Sequence, residues 1–181
     1  MSTQLFINAH IATGMPGSTA AETAAIQDIL VEDGKFISIA PNLKATLEAQ
    51  GKDMASVEVV DLGGKLVCPP FCDTHLHLDY VFTARKPGAV NESGTLFEGI
   101  QRWSETKADL TVDEIKERAK IGIAKEMRHG VQFIRPHADV TDPNLTSLKA
   151  LLELKEELKD TVTLQIVSFP QEGMYSYEGP H

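Results

Sequence analysis

Val67-Cys68-Pro69-Pro70-Phe71-Cys72-Asp73-Thr74-His75-Leu76-His77-Leu78-Asp79 is an apolar run that ends in two histidines one residue apart. In a β-strand, side chains at i and i+2 share a face, so His75 and His77 present two imidazoles roughly 7 Å apart along the strand, a spacing that a divalent metal can bridge. A bare His-x-His also suits polar residues where a buried strand runs into a loop. The flanking residues favour the metal reading. Residues 67–71 are apolar on both faces, as a strand of a parallel sheet is, and the pair stands at the C-terminal end of that run, where α/β folds place their sites.

The chain has 181 residues, within the size of one domain and short of many complete α/β barrels. With 42% hydrophobic and 24% charged residues, it has the composition of a globular protein with a real core. A net charge of −9, with Lys and Arg dispersed through helical stretches, argues against an extended phosphate backbone as partner, so no nucleic acid is expected. Met1-Ser2-Thr3-Gln4 does not open a signal peptide and no run approaches roughly 20 apolar residues, so the expectation is a cytoplasmic protein with no membrane partner. Cys68 and Cys72, four apart on one strand, would lie roughly 13 Å from each other, too far for a disulfide, and are read as buried small hydrophobes.

Upstream of the histidine pair, the sequence predicts short β-elements. Residues 5–11 and 27–32 read as strands, with a Gly/Ala/Ser/Thr-rich loop over 13–25 between them. Asp33-Gly34 turns the second into residues 36–39, a strong hairpin signal. A short helix over 43–50 and a strand over 57–62 follow, and Gly63-Gly64 leads into the decisive stretch. Downstream, a long polar connection over 80–93 precedes a helix over 94–108. A second helix starts at Thr111 with Glu114 as a capping box and stops at Gly130. A strand over 131–138, a helix over 145–159 and a strand over 161–168 complete a strand-helix alternation, which is the signature of parallel βαβ units. The division expected is 1–66, a small domain of β-elements, and 67–181, a parallel α/β unit.

Parallel strands bring their C-terminal ends to one rim: His75 and His77 on the first, His137 and Asp139 on the second, and Phe169-Pro170-Gln171-Glu172-Gly173 after the third. Neutral imidazole is a good ligand for zinc or ferrous iron, but two histidines are fewer than the three protein ligands of a typical catalytic zinc. His137 stands after Arg135-Pro136, and proline is unusual in a central strand; its two readings are a third ligand or a residue lining the pocket. Gln171 has the acceptor and donors to pair with an amide-like N–H and C=O edge, such as that of a pyrimidine. His129 precedes a helix-ending glycine, where positive charge is favourable.

Cys68 to Asp79 resembles the first barrel strand of the metal-dependent amidohydrolase superfamily, and Ser93-Gly94-Thr95-Leu96-Phe97-Glu98-Gly99-Ile100 and Leu164-Gln165-Ile166-Val167-Ser168-Phe169-Pro170-Gln171-Glu172-Gly173 resemble bacterial cytosine deaminases. The resemblance implies a (β/α)8 TIM barrel of the amidohydrolase type with a small flanking β-sandwich domain, of which about three barrel strands are here. It implies one divalent metal ion, Fe2+ or Zn2+, and hydrolytic deamination of cytosine or a related cyclic amidine by water attack with release of ammonia. His75 and His77 carry over as metal ligands, Gln171 as the reader of the pyrimidine edge and Leu96 as a pocket residue; His137, from its own place after Arg135-Pro136, is expected on the substrate side. The acid/base residues and remaining ligands belong to later barrel strands and are expected beyond His181, so the chain alone is expected to be inactive, and the complete enzyme to be a homo-oligomer. Isocytosine, creatinine or a triazine stay open as substrates, as does a non-catalytic fragment that binds metal or a partner chain. The cytidine-deaminase zinc motif is not present, because the two cysteines have the wrong spacing.

Overall fold

The computed structural model describes residues 2–11 and 25–174; the loop expected over 13–25 falls almost wholly outside them. The chain divides into two compact units, Met1–Pro69 and Pro70–His181.

The first unit is one mixed sheet built on β1 (Thr3–Ile11), β2 (Ile26–Glu32), β3 (Lys35–Ala40), β4 (Glu58–Asp61) and β5 (Leu66–Val67). Its order is β3-β2-β1-β4, with β5 continuing beside β1. The hairpin between β2 and β3 forms where Asp33-Gly34 predicts it, with both residues at positive φ (47° and 75°), as a tight primed turn demands. β4 and β5 run parallel to β1. Leu5 and Leu30 of the sheet bury against Val57 and against Leu43 of the short helix α1 (Leu43–Ala49).

The second unit is a parallel sheet covered by helices. It comprises β6 (Phe71–Leu76), α2 (Leu96–Lys107), α3 (Val112–Arg128), β7 (Val131–Asp139), α4 (Thr146–Glu157), β8 (Thr163–Leu164) and β9 (Val167–Phe169). Both β6 and the β8–β9 pair run parallel to β7, on opposite sides of it. Leu151 and Leu154 of α4 and Ala119 and Ile123 of α3 pack with Ile134 and Ala138 of β7 in the core. Thr111 and Glu114 form the predicted capping box, each side chain bonding the other's backbone N–H. Gly130 ends the turn after α3 at φ +85°.

Three local expectations change. The apolar run over 67–71 is not one strand: β5 ends at Val67 and β6 begins at Phe71, because Pro69 and Pro70 have no N–H to give a ladder. Cys68 and Cys72 flank that break and are exposed, not buried. The third strand is two short pieces separated at Gln165-Ile166, although the Gln165 N–H still reaches the Ile134 carbonyl at 2.9 Å. Pro136 does sit in the central strand. The register of β6 against β7 shifts between Asp73 and Leu76, and Pro136 falls opposite Leu76 just past the shift, where the regular ladder is already interrupted. Among the described residues no helix is long and apolar enough to cross a membrane.

Candidate functional site

Two strand ends deliver three histidines to one place. His75 is the last but one residue of β6, His77 follows that strand, and His137 comes from the far end of β7. The His75 and His77 Nε2 atoms are 3.2 Å apart. The His137 ring stacks on His75 with centroids 4.0 Å apart and planes inclined by 17°, and Phe169, the last residue of β9, stands edge-on to all three imidazoles. His77 is sandwiched from the other side by the Tyr80 ring at 4.6 Å. Burial, and then the neighbouring His75 and His137, hold the His77 imidazole below its ordinary pKa and therefore neutral, the form that binds metals.

The histidine pair fits a divalent ion. Two nitrogens each roughly 2.0–2.1 Å from a tetrahedral zinc lie about 3.3 Å from each other, and the pair is at 3.2 Å. The set is small, however: among the described residues no group of three or more His, Cys, Asp or Glu converges as a metal site. His137 Nδ1 lies 3.2 Å from the Arg135 carbonyl, which fixes its ring against its own strand. Among the described residues no group stands in hydrogen-bond geometry to the buried Nδ1 of His77, and the His137 backbone is a polar neighbour of that imidazole.

Beside the histidines lies a cleft of about 480 Å³ lined by Tyr80, Phe82, Leu96, Arg102, Trp103 and Gln171, among others. Leu96 and Gln171, from stretches 75 residues apart, thus line one cleft. None of the three histidines lines the cleft; Tyr80, which stacks on His77, is the side chain common to both. Leu96 is 74% exposed at the start of α2. The loop before it is tied down by Glu98, whose carboxylate accepts from the Glu92 and Ser93 N–H groups at 3.1 and 2.7 Å and from the Ser93 hydroxyl. The Ser93 hydroxyl, and then the two backbone N–H groups, draw the Glu98 carboxyl down to about 2.

Beneath this rim sits a buried polar network that sequence reading did not anticipate as a unit. The Asp79 carboxylate is fully buried and accepts from the Asp139 N–H at 2.8 Å; burial pushes its carboxyl up to about 6. Burial also opposes charge on Asp139, but bonds from the Thr141 hydroxyl and N–H, the Trp103 indole and Lys107 outweigh it and hold that carboxyl below its usual range. Trp103 Nε1 donates to Asp139 Oδ2 at 2.7 Å. Lys107 Nζ donates to Asp139 Oδ2 at 3.1 Å, Thr141 Oγ1 at 2.7 Å and Glu172 Oε1 at 2.6 Å. One signal was available: Trp103, the chain's single tryptophan, and Lys107 are four apart on one helix and so share a face.

The sequence of residues 58–180 matches the model of the amidohydrolase family. The chain is 30% identical over 159 residues to N-isopropylammelide isopropyl amidohydrolase of Pseudomonas sp. (strain ADP), covering 86% of this chain and 37% of that protein. It is 28% identical over 152 residues to pterin deaminase of Rhizobium rhizogenes (strain K84 / ATCC BAA-868), covering 81% of this chain and 32% of the relative. Among solved structures, 5-methylcytosine deaminase from Klebsiella pneumoniae liganded with 5-fluorocytosine superposes with a TM-score of 0.77 at 40% identity, over 96% of this chain and 38% of that one. The chain therefore spans less than two fifths of the length of these relatives. Its fold is that of the amidohydrolase barrel, with β6, β7 and β8–β9 as three successive strand positions, accompanied by a small β unit. Matched over most of its length in sequence and superposed over nearly all of it in structure, the chain belongs to the amidohydrolase family, a metal-dependent superfamily of enzymes acting on C–N bonds.

Proposed function

We propose that this chain carries the first part of a deaminase site, one that hydrolyses cytosine or a related cyclic amidine with release of ammonia. The observation that carries the reading is the pair of imidazole Nε2 atoms 3.2 Å apart at the C-terminal end of β6, beside a cleft that holds both Gln171 and Leu96. In this reading His75 and His77 hold one divalent ion, Fe2+ or Zn2+, through Nε2. When bound, the ion supplies Lewis acidity and lowers the pKa of water to about 7.

The chain's own residues do the rest of what falls to this part of the site. Gln171 offers a donor and an acceptor side by side to the N–H and C=O edge of a planar base. Leu96 provides an apolar wall for the ring, and His137, stacked on His75, fixes the first ligand's plane and faces the substrate. Tyr80 shields the His77 imidazole from water on one face. The remaining ligands and the proton-transfer groups come from outside the three strands, in keeping with the absence of a three-ligand cluster among the described residues. Residues 1–66 form the strands of a small β-sandwich domain in this reading and 67–181 the opening of the barrel. The enzyme is placed in the cytoplasm, acts on a small molecule, and is a homo-oligomer when complete.

The test is ammonia release from a panel of cytosine, 5-methylcytosine, isocytosine, creatinine and a triazine, by the 181-residue chain and by a version extended to the length of the relatives. The reading expects turnover of cytosine or a close cyclic amidine by the extended protein and none after replacing His75 and His77 with Ala. Native rates in that double variant would refute it. The likeness to an N-isopropylammelide amidohydrolase favours the triazine as the second substrate class.

A further inference from the structure

Lys107 joins three separate segments through one ammonium. It is the last residue of α2, its side chain is 12% exposed, and all three of its N–H donors are used: on Asp139 at the end of β7, on Thr141 just beyond it, and on Glu172 in the turn after β9. The bonds to Asp139 and Thr141 reach two buried side chains and anchor α2 to the sheet. The bond to Glu172 is different in kind. Glu172 is 27% exposed and adds little to the core, but it is the neighbour of Gln171. The turn also carries the Gly173 N–H on the Pro170 carbonyl at 2.9 Å, and the Val140 N–H on the Phe169 carbonyl holds the strand end before it. Leu96 and Trp103, on the same helix as Lys107, line the same cleft as Gln171.

We propose that Lys107 is a positioning residue: by holding Glu172, its ammonium pins the turn of residues 170–173 to α2 and so sets where the Gln171 amide stands against Leu96 and Trp103. The charge balance fits this assignment. One ammonium serves two carboxylates, Asp139 and Glu172, with Asp142 also within its field, so the pairing with Glu172 is held by a cation already fixed in place by Asp139 and Thr141. A pre-fixed cation loses little side-chain freedom when it takes a further partner, which is what distinguishes this tether from an ordinary surface ion pair. The consequence for substrate rests on the reading of Gln171 given above; the tether itself does not.

The experiment is hydrogen exchange by mass spectrometry on the 181-residue chain, comparing native protein with Glu172→Ala, Lys107→Met and Lys107→Arg. Glu172→Ala removes the tether at its exposed end and leaves the bonds of Lys107 to Asp139 and Thr141 intact. It is expected to speed exchange of the 171–173 amides about tenfold while residues 131–139 keep native rates. Lys107→Met does the same to the turn, and Lys107→Arg, which can still reach both carboxylates, keeps exchange within twofold of native. Should Lys107→Met fail to fold, Glu172→Ala decides alone: native exchange at 171–173 in that variant overturns the proposal. In the active protein, Glu172→Ala is expected to raise KM for cytosine about tenfold with kcat within threefold, and a loss confined to kcat overturns the positioning role. If the native protein turns over no member of the substrate panel, the deaminase reading fails while the exchange result still stands for or against the tether.

Discussion

A glycine in the middle of α3 gives the sharpest test of how the strand that bears the histidines is held. Gly122 costs the helix about 0.8–1 kcal/mol relative to alanine, so its presence needs a packing reason. That reason is close approach: a Cβ at residue 122 would lie 3.3 Å from Leu78 Cδ2 and 3.6 Å from Val81 Cγ2. Leu78 follows His77, Val81 follows Tyr80, and Leu78 is completely buried. Gly122→Ala gains the propensity term and asks a buried leucine to yield by a few tenths of an ångström. The two effects nearly cancel, and the variant is expected within about 1 kcal/mol of native. Gly122→Val adds two further methyl groups against Leu78 and Val81. With overpacking at about 1–3 kcal/mol and only about half a kcal/mol returned by propensity, it is expected to lose about 2 kcal/mol. The assay is urea unfolding followed by fluorescence of Trp103, the single tryptophan, which lies in the second unit. A Gly122→Val midpoint equal to or above the native one would refute the argument that α3 is held this close to residues 78–81.

Two further outcomes follow from the same geometry. Leu154→Ala, which empties a fully buried position between α4 and the sheet, is expected to cost about 2–5 kcal/mol in the same unfolding assay. Because the Asp139 carboxyl lies below its ordinary value of 3.8, its stabilisation is complete above that value and is lost as pH falls through the lower native pKa. Native stability should therefore drop on acidification below about pH 4, and Asp139→Asn, less stable at neutral pH, should show a shallower drop; an equally steep acid limb in that variant would count against the network.

Much of this architecture is legible in the residues, and the places where it is not share a physical cause. Asp33-Gly34, the Thr111/Glu114 capping box and Gly130 announce their structures because the controlling interactions are local. His75 and His77 were identifiable as a pair from a strand's period of two, although β6 ends at Leu76 and their Nε2 atoms, 3.2 Å apart, stand closer than the roughly 7 Å of a continuous strand. Hydropathy alone could not divide residues 67–71, since an apolar run reads as one strand until Pro69 and Pro70 are asked for ladder donors they do not have. The exposure of Cys68 and Cys72 follows from the same break. Pro136 in the central strand was unexpected because proline rules assume a regular ladder, and here the ladder shifts register beside it. Lys107 was the least visible, being one of the chain's twelve lysines, at the end of an amphipathic helix. Its partners at 139, 141 and 172 are brought together only by the parallel topology.

The central claim, that His75 and His77 form one half of a metal centre, is tested most directly by zinc binding to the 181-residue chain. Equilibrium dialysis with Zn2+, together with 15N chemical shifts of the imidazole nitrogens, reads both stoichiometry and the atoms involved. The account predicts one equivalent bound, more weakly than by a complete three-ligand site, with both Nε2 resonances shifted and the binding lost in the His75→Ala/His77→Ala double variant. Uptake unchanged in the double variant, or no shift at either Nε2 in the native chain at saturating Zn2+, would contradict it.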